Sequence, residues 1–107
     1  MAIDFLAGDA VLCQWRGGHL WFPGVVHSIN GASVAIQYSD GSSEIRPANQ
    51  IRHNDLAAGS RIHALWPGDS KWYDSVIIAI DLLNGALTVR YEDGVVEETT
   101  LGRCRSI

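Results

Sequence analysis

The sequence predicts an all-β protein built as two small five-stranded antiparallel barrels in tandem. Three observations carry this. First, an aromatic stretch is written twice: Trp15-Arg16-Gly17-Gly18-His19-Leu20-Trp21-Phe22 returns 51 positions later as Trp66-Pro67-Gly68-Asp69-Ser70-Lys71-Trp72-Tyr73, and the two copies hold all four tryptophans of the 107-residue chain. Second, turn-forming dipeptides stand at matching places, Asn30-Gly31 with Asn84-Gly85 and Asp40-Gly41 with Asp93-Gly94. Third, no segment sustains a helical period, whereas short alternating runs recur between the turns. Units of about fifty residues are marginal alone, and the spacer around His53-Asn54-Asp55 is too short for a flexible linker, so the units 1–53 and 54–107 are expected to pack together.

Each element follows in order. After a lead-in (Met1 to Leu6, with Phe5 as a packing residue) and a turn at Gly8-Asp9, Ala10–Trp15 reads as a strand with Val11, Cys13 and Trp15 on one face. Its echo puts Ile62, Ala64 and Trp66 together. A long strand, Trp21–Ile29, is echoed by Trp72–Leu82, and each runs into an Asn-Gly pair whose two residues are expected at positive φ in a hairpin turn. Third strands are expected at Ser33–Tyr38 and Leu87–Tyr91, each closing on an Asp-Gly turn. Short fourth strands follow at Ser43–Arg46 and Val96–Thr99, and brief apolar ends at Ile51-Arg52 and Cys104-Arg105. The offset between copies is 51 through Ile29/Ile80 and 53 from Tyr38/Tyr91, so the length difference belongs at the Asn-Gly tip, where insertions are tolerated. In the second copy Val76, Ile78 and Ile80 alternate with Ile77 and Ala79, both faces apolar; one face should fill its barrel and the other meet the first barrel near Val25 and Ile29, or another chain.

Composition narrows the function. The net charge is −4, of which the second half carries the larger share, and an acidic chain lacks the phosphate attraction that supplies nonspecific nucleic-acid affinity. A cationic partner suits it better. There is no nucleophile–base spacing, no phosphate-cradling glycine motif and no ligand cluster for a metal, so the chain reads as a non-catalytic module needing neither cofactor nor metal. Cys13 and Cys104 fall where the other copy has Ala64 and Ile51, as buried free thiols would. His19, His27, His53 and His63 have no counterpart in the other copy. No apolar run approaches bilayer length and no signal segment opens the chain, so an intracellular, soluble protein is expected, monomeric rather than a homodimer and without a membrane partner.

With these residues in place, each copy resembles a Tudor domain, one of the Royal-family SH3-like barrels that read methylated lysine or arginine. In the first copy the resemblance rests on Val11-Leu12-Cys13-Gln14-Trp15, Trp21-Phe22-Pro23-Gly24-Val25-Val26, Tyr38-Ser39-Asp40-Gly41, Glu44 and Ile51-Arg52. In the second it rests on Ile62-His63-Ala64-Leu65-Trp66, Trp72-Tyr73, Tyr91-Glu92-Asp93-Gly94, Glu97 and Cys104-Arg105. It covers nearly the whole chain. Carried over by position, it implies an aromatic cage of Trp15, Phe22, Tyr38 and Asp40 in the first barrel and of Trp66, Tyr73, Tyr91 and Asp93 in the second. Trp21 and Trp72 would face away from the cages. Family members often add an aromatic past the Asp-Gly turn, where this chain has Ser42 and Val95, so each cage should be open on one side.

The implied partner is a methylated or otherwise cationic peptide. Ring faces attract a cation by about 0.5–2 kcal/mol each, depending on desolvation, and an acid beside them accepts the N–H that mono- and dimethyl-lysine or methylarginine keep. The second cage is favoured: Asp69, Glu92 and Asp93 stand near it, whereas Arg16 beside the first competes with a cationic guest. The alternatives are an interaction or scaffolding module gripping an unmodified segment, and, against the charge, a nucleic-acid-binding barrel stacking bases on its aromatics.

Overall fold

The computed structural model describes residues 5–107; the lead-in residues 1–4 lie outside them. Ten strands follow in sequence. The first unit contains β1 (Ala10–Gln14), β2 (Trp21–Asn30), β3 (Ser33–Tyr38), β4 (Ser43–Pro47) and β5 (Ile51–His53). The second contains β6 (Arg61–Leu65), β7 (Trp72–Asp81), β8 (Ala86–Tyr91), β9 (Val96–Thr100) and β10 (Cys104–Arg105). They form two five-stranded antiparallel sheets with equivalent orders, β4-β3-β2-β1-β5 and β10-β6-β7-β8-β9. The expected all-β tandem is therefore present, each sheet a meander whose last strand returns beside its first.

Two devices let such short sheets curl. Each long strand carries a bulge at the equivalent place: the β2–β3 register shifts between Val26 and Ser28, and the β7–β8 register between Ile77 and Ala79. The extra residues, His27 and Ile78, are both exposed. A bulge bends its strand and resets the inside–outside alternation. In β7, Ile77 points into the core before the bulge and Ile80 packs against that core after it. This corrects the expectation that one face of β7 meets the first barrel near Val25. Ile78 is 42% and Val25 43% exposed; the doubled apolar pattern reflects a phase change along one strand.

The second device is the hairpin. Asp40-Gly41 and Asp93-Gly94 close three-residue turns in which Gly41 (φ 95°) and Gly94 (φ 89°) take a conformation that side chains resist. At the Asn-Gly tips only the glycines, Gly31 and Gly85, have positive φ. Asn30 stays in β2, paired with Ser33, and the turn is Gly31-Ala32. The second tip is longer, spanning 82–85 between the paired Asp81 and Ala86, with Asn84 Nδ2 donating to Asp81 at 2.7 Å. The two-residue length difference between the copies sits here.

Two cores result. Phe5, Val11, Cys13, Val26, Val34, Ile36, Tyr38 and Ile51 fill the first. The second holds Ile62, Ala64, Ile77, Leu87, Val89, Tyr91, Leu101 and Cys104, together with Leu12 of β1, which is fully buried there. Both cysteines are free and buried, and they pair crosswise in the repeat: Cys13 faces Ile51, and Cys104 faces Ala64.

The barrels lie end to end, 45 Å long and 22 by 20 Å across. The joint is made by the start of β2 and the segment after β10. Trp21 N–H donates to the Ser106 carbonyl (2.8 Å) and Ser106 N–H to the Trp21 carbonyl (2.7 Å). Trp21 packs against the second core, and the Arg52 guanidinium lies 4.4 Å over its ring while donating to Ser106 Oγ. The repeat-equivalent pair, Arg105 over Trp72 at 4.3 Å, sits on the other side of the joint. The two tryptophans expected to face away from the cages thus both take part in the interface. Among the described residues no helix is long and apolar enough to cross a membrane.

Candidate functional site

The barrel ends where the aromatic stretches meet the Asp-Gly turns hold one hollow each, and the two differ. In the second barrel Trp66 follows β6, Tyr73 lies in β7 and Tyr91 ends β8. Together with Asp69, Asp74, Glu92 and Asp93 they line an open hollow of about 430 Å³. The Trp66 and Tyr91 rings stand edge to face, centroids 5.1 Å apart at 89°, an arrangement favoured by ring quadrupoles. Tyr91 is buried and its hydroxyl donates to Glu97 Oε1 at 2.9 Å, so it forms the floor. Burial, and then this acceptor, push its phenol well above the usual range. Tyr73 is 42% exposed. Its hydroxyl donates to Asp69 Oδ2, which holds the Asp69 carboxyl below its ordinary value and raises the phenol.

The loop 66–71 explains the pose of Trp66. Ser70 N–H donates to the Trp66 carbonyl (2.9 Å), Trp66 N–H donates to the Lys71 carbonyl (2.9 Å), and Asp69 Oδ1 accepts from Lys71 N–H (3.0 Å). Gly68 lies so close to the indole that a Cβ there would be 2.6 Å from Trp66 Nε1. At the far rim Asp93 Oδ1 accepts from Val95 N–H (3.0 Å), shaping the turn.

The first barrel brings the same positions together but closes them. Trp15, Phe22, Tyr38 and Asp40 line a hollow of about 90 Å³ together with Trp72, Leu101 and Gly102 of the second barrel. Phe22 is flanked by Trp15 (5.9 Å, 63°) and by Trp72 (6.1 Å, 85°). Gly102 is pressed onto the Tyr38–Asp40 turn so closely that a Cβ would lie 2.7 Å from the Ser39 carbonyl oxygen. From the other side the Arg16 guanidinium covers Trp15 at 4.7 Å. Although the loops after Trp15 and Trp66 have equal length, the first makes a 3₁₀ turn (Trp15–Gly17) with Arg16 at φ 52°. That turn is held by Arg16 N–H donating to both Glu44 carboxylate oxygens (3.2 and 3.1 Å). Tyr38 O–H donates to the same Glu44 at 2.7 Å. Asp40 Oδ1 accepts from Ser42 Oγ (2.6 Å) and Ser42 N–H (3.0 Å), which lower its carboxyl.

Several participants were not foreseen from sequence, Leu101 and Gly102 of the first hollow among them. Asp74 lines the open hollow, one strand position beyond Tyr73, and pairs with His63 at 3.1 Å. Trp72 faces away from its own barrel's hollow, as expected, but enters the other one. Strand alternation assigns a face; it does not say that a neighbouring barrel stands against it.

The fold is a tandem of two five-stranded antiparallel sheets. No family model matches the chain. Over 53 residues, the length of one repeat, the chain is 38% identical to the DNA mismatch repair protein MSH6 of Arabidopsis thaliana. The match takes in 50% of this chain and 4% of that much longer protein. Among solved structures it is similar to the tandem Agenet domain 3-4 of ADCP1 (17% identity, 96% of this chain and 80% of that one, TM-score 0.43). It is also similar to the AGD34 segment of Arabidopsis thaliana AGDP1 (18% identity, 96% and 82%, TM-score 0.44).

Proposed function

We propose that this Tudor-like pair is a non-catalytic binding module in which the second barrel, within unit 54–107, receives a methylated lysine or methylarginine side chain of a partner peptide. The first barrel, within unit 1–53, serves chiefly as its support. The observation that carries the reading is the open hollow of about 430 Å³ with two perpendicular rings, a third ring at its rim and four carboxylates in its lining, against no lysine or arginine there. A methylated ammonium keeps its charge but is less strongly hydrated than a bare one, so ring faces can replace its water. The acids supply long-range attraction and accept any remaining N–H, which favours mono- and dimethyl-lysine or methylarginine over trimethyl-lysine. Ring and carboxylate contributions of this size, less the cost of ordering a peptide, correspond to a Kd on the order of micromolar to millimolar. The repeat-length match to part of a larger repair protein is in keeping with a portable module.

The test is titration of peptides carrying unmodified, mono-, di- and trimethyl-lysine, or methylated and unmodified arginine, into the full chain. Binding that needs methylation and is lost in Trp66→Ala supports the reading. Equal binding of modified and unmodified peptides, undisturbed by Trp66→Ala, replaces it with a scaffolding surface.

A further inference from the structure

We propose that the face of the second barrel beside the open hollow holds a second subsite, which takes the carboxylate of an aspartate or glutamate in the same partner peptide. This rests on the cation reading above and extends it from a single side chain to a two-point motif.

The subsite is built by strand register. Arg61 of β6 pairs with Val76 of β7, and Val76 pairs with Arg90 of β8. Directly paired residues share a face with Cβ atoms about 5 Å apart, so two exposed arginines bracket one half-buried valine. Their guanidinium groups make no ion pair or hydrogen bond among the described residues, unlike Arg46, which meets Glu44 and Gln50, or Arg52, which meets Trp21 and Ser106. The groups facing them are the carboxylates of Asp74, engaged by His63, of Glu92 and of the chain-terminal Ile107, and none comes within ion-pair distance of Arg61 or Arg90. Arg61, Val76 and Arg90 line a hollow of about 350 Å³ that shares Asp74, Tyr91 and Glu92 with the aromatic one. The two hollows therefore adjoin, the first ring-lined and acidic, the second holding two exposed guanidinium groups that have no ion-pair partner.

A peptide whose methylated cation fills the first end passes over the second. Tyr73 and Val76 are three residues apart on β7, roughly 10 Å at strand rise, and on opposite faces of the strand, so a peptide that reaches both passes around it and the residue at the arginines is about three or four positions from the cation. A glutamate suits it best: its methylenes lie on Val76 and its single negative charge meets two guanidinium groups. A dianionic phosphate gains from the same arginines but pays more repulsion from Asp74 and Glu92, and a basic or apolar segment leaves both arginines unpaired.

The experiment uses the full chain and one dimethyl-lysine peptide series, with glutamate, alanine, lysine or phosphoserine placed two, three or four residues to either side of the modified lysine. Wild type, Trp66→Ala and the double variant Arg61→Ala/Arg90→Ala are titrated with each. Both arginines are exposed, so the double variant should keep its circular dichroism and melting temperature. The expected result is that glutamate at one side tightens binding roughly three- to tenfold over alanine, the range two exposed ion pairs allow. Lysine should weaken binding, and the glutamate advantage should vanish in the double variant and at roughly 0.5 M salt. Trp66-dependent binding that is indifferent to the flanking residue overturns the subsite and leaves the cation reading standing, as does a glutamate preference that survives in the double variant. Phosphoserine binding more tightly than glutamate overturns the choice of carboxylate. If no dimethyl-lysine peptide binds, both readings fall.

Discussion

Trp66 and Tyr91 meet edge to face across the mouth of the second barrel, centroids 5.1 Å apart at 89°, while the equivalent Trp15 leans instead on Phe22 at 5.9 Å. Two copies of one motif therefore present different ring geometries, and what separates them lies outside the motif. The second barrel's Trp72 and Gly102 press on the first hollow, and among the described residues nothing of the first barrel lines the second.

Binding of a methylated peptide should depend on the second hollow alone. Tyr73→Ala and Trp66→Ala are each expected to weaken it at least tenfold, about 1.4 kcal/mol, since each removes a ring face worth roughly that much. Trp15→Ala should change affinity less than twofold. Titration calorimetry on the three variants checks this, with Tyr73→Ala the cleanest because its ring is too exposed to support the core. A larger loss from Trp15→Ala than from Trp66→Ala would move the site to the first barrel.

The fit of Gly68 against the indole makes Gly68→Ala a probe of ring pose. A Cβ 2.6 Å from Nε1 requires the ring or the loop to shift, so binding should fall several-fold although no wall residue is removed. The Trp66 indole resonance should move in a proton–nitrogen correlation spectrum. Gly102→Ala meets backbone at Ser39, which cannot swing aside, and should cost about 1–3 kcal/mol of stability in chemical denaturation.

The joint should contribute strongly to folding. Trp21 packs on the opposite barrel's core, and Trp21→Ala is expected to cost about 3–5 kcal/mol. A denaturation curve in which the variant unfolds in two steps would show that the barrels are coupled chiefly through this ring.

pH acts on the site and on the core in opposite directions. The Tyr73 hydroxyl holds Asp69 below the usual carboxylate range, so Asp69's share of cation affinity is present above about pH 4 and is lost as pH falls through its depressed value. In Tyr73→Phe that loss should begin at a higher pH, readable from affinity profiles of the two proteins. Cys104 is the reverse case: burial raises its thiol from 9.0 to about 12. Its stabilising share is complete below the unfolded value of 9.0 and declines as pH rises toward 12, by up to about 1.4 kcal/mol per pH unit. Stability should therefore fall above pH 9, less steeply in Cys104→Val, and a thiol reagent should label neither cysteine of the native protein at neutral pH.

Much of the fold was legible because its signals are local. The Asp-Gly turns, the β3 and β8 spans and the position of the length difference all follow from backbone preferences of a few neighbouring residues. The bulges at His27 and Ile78 were not legible. A bulge is an agreement between two strands, and in the sequence it looks like a strand with two apolar faces, from which a second contact face is expected. The eight cage positions cluster as four and four, since strand ends and turns set where each side chain begins. Asp74 and the second role of Trp72 were hidden, because both depend on what stands across a gap.

By itself, the sequence determined that this chain makes two barrels, with an aromatic trio and an acid at corresponding corners of each, because strand alternation and turn chemistry act over short distances and repeat wherever the residues repeat. Only the tertiary structure decided that the corners are unequal. The barrels join end to end through Trp21 and Ser106, and that contact is not symmetric: it brings Trp72 and Gly102 onto the first corner and leaves the second facing water with its carboxylates. The reason is geometric. Two identical motifs in one chain cannot both face outward when one of them lies where the other barrel must dock.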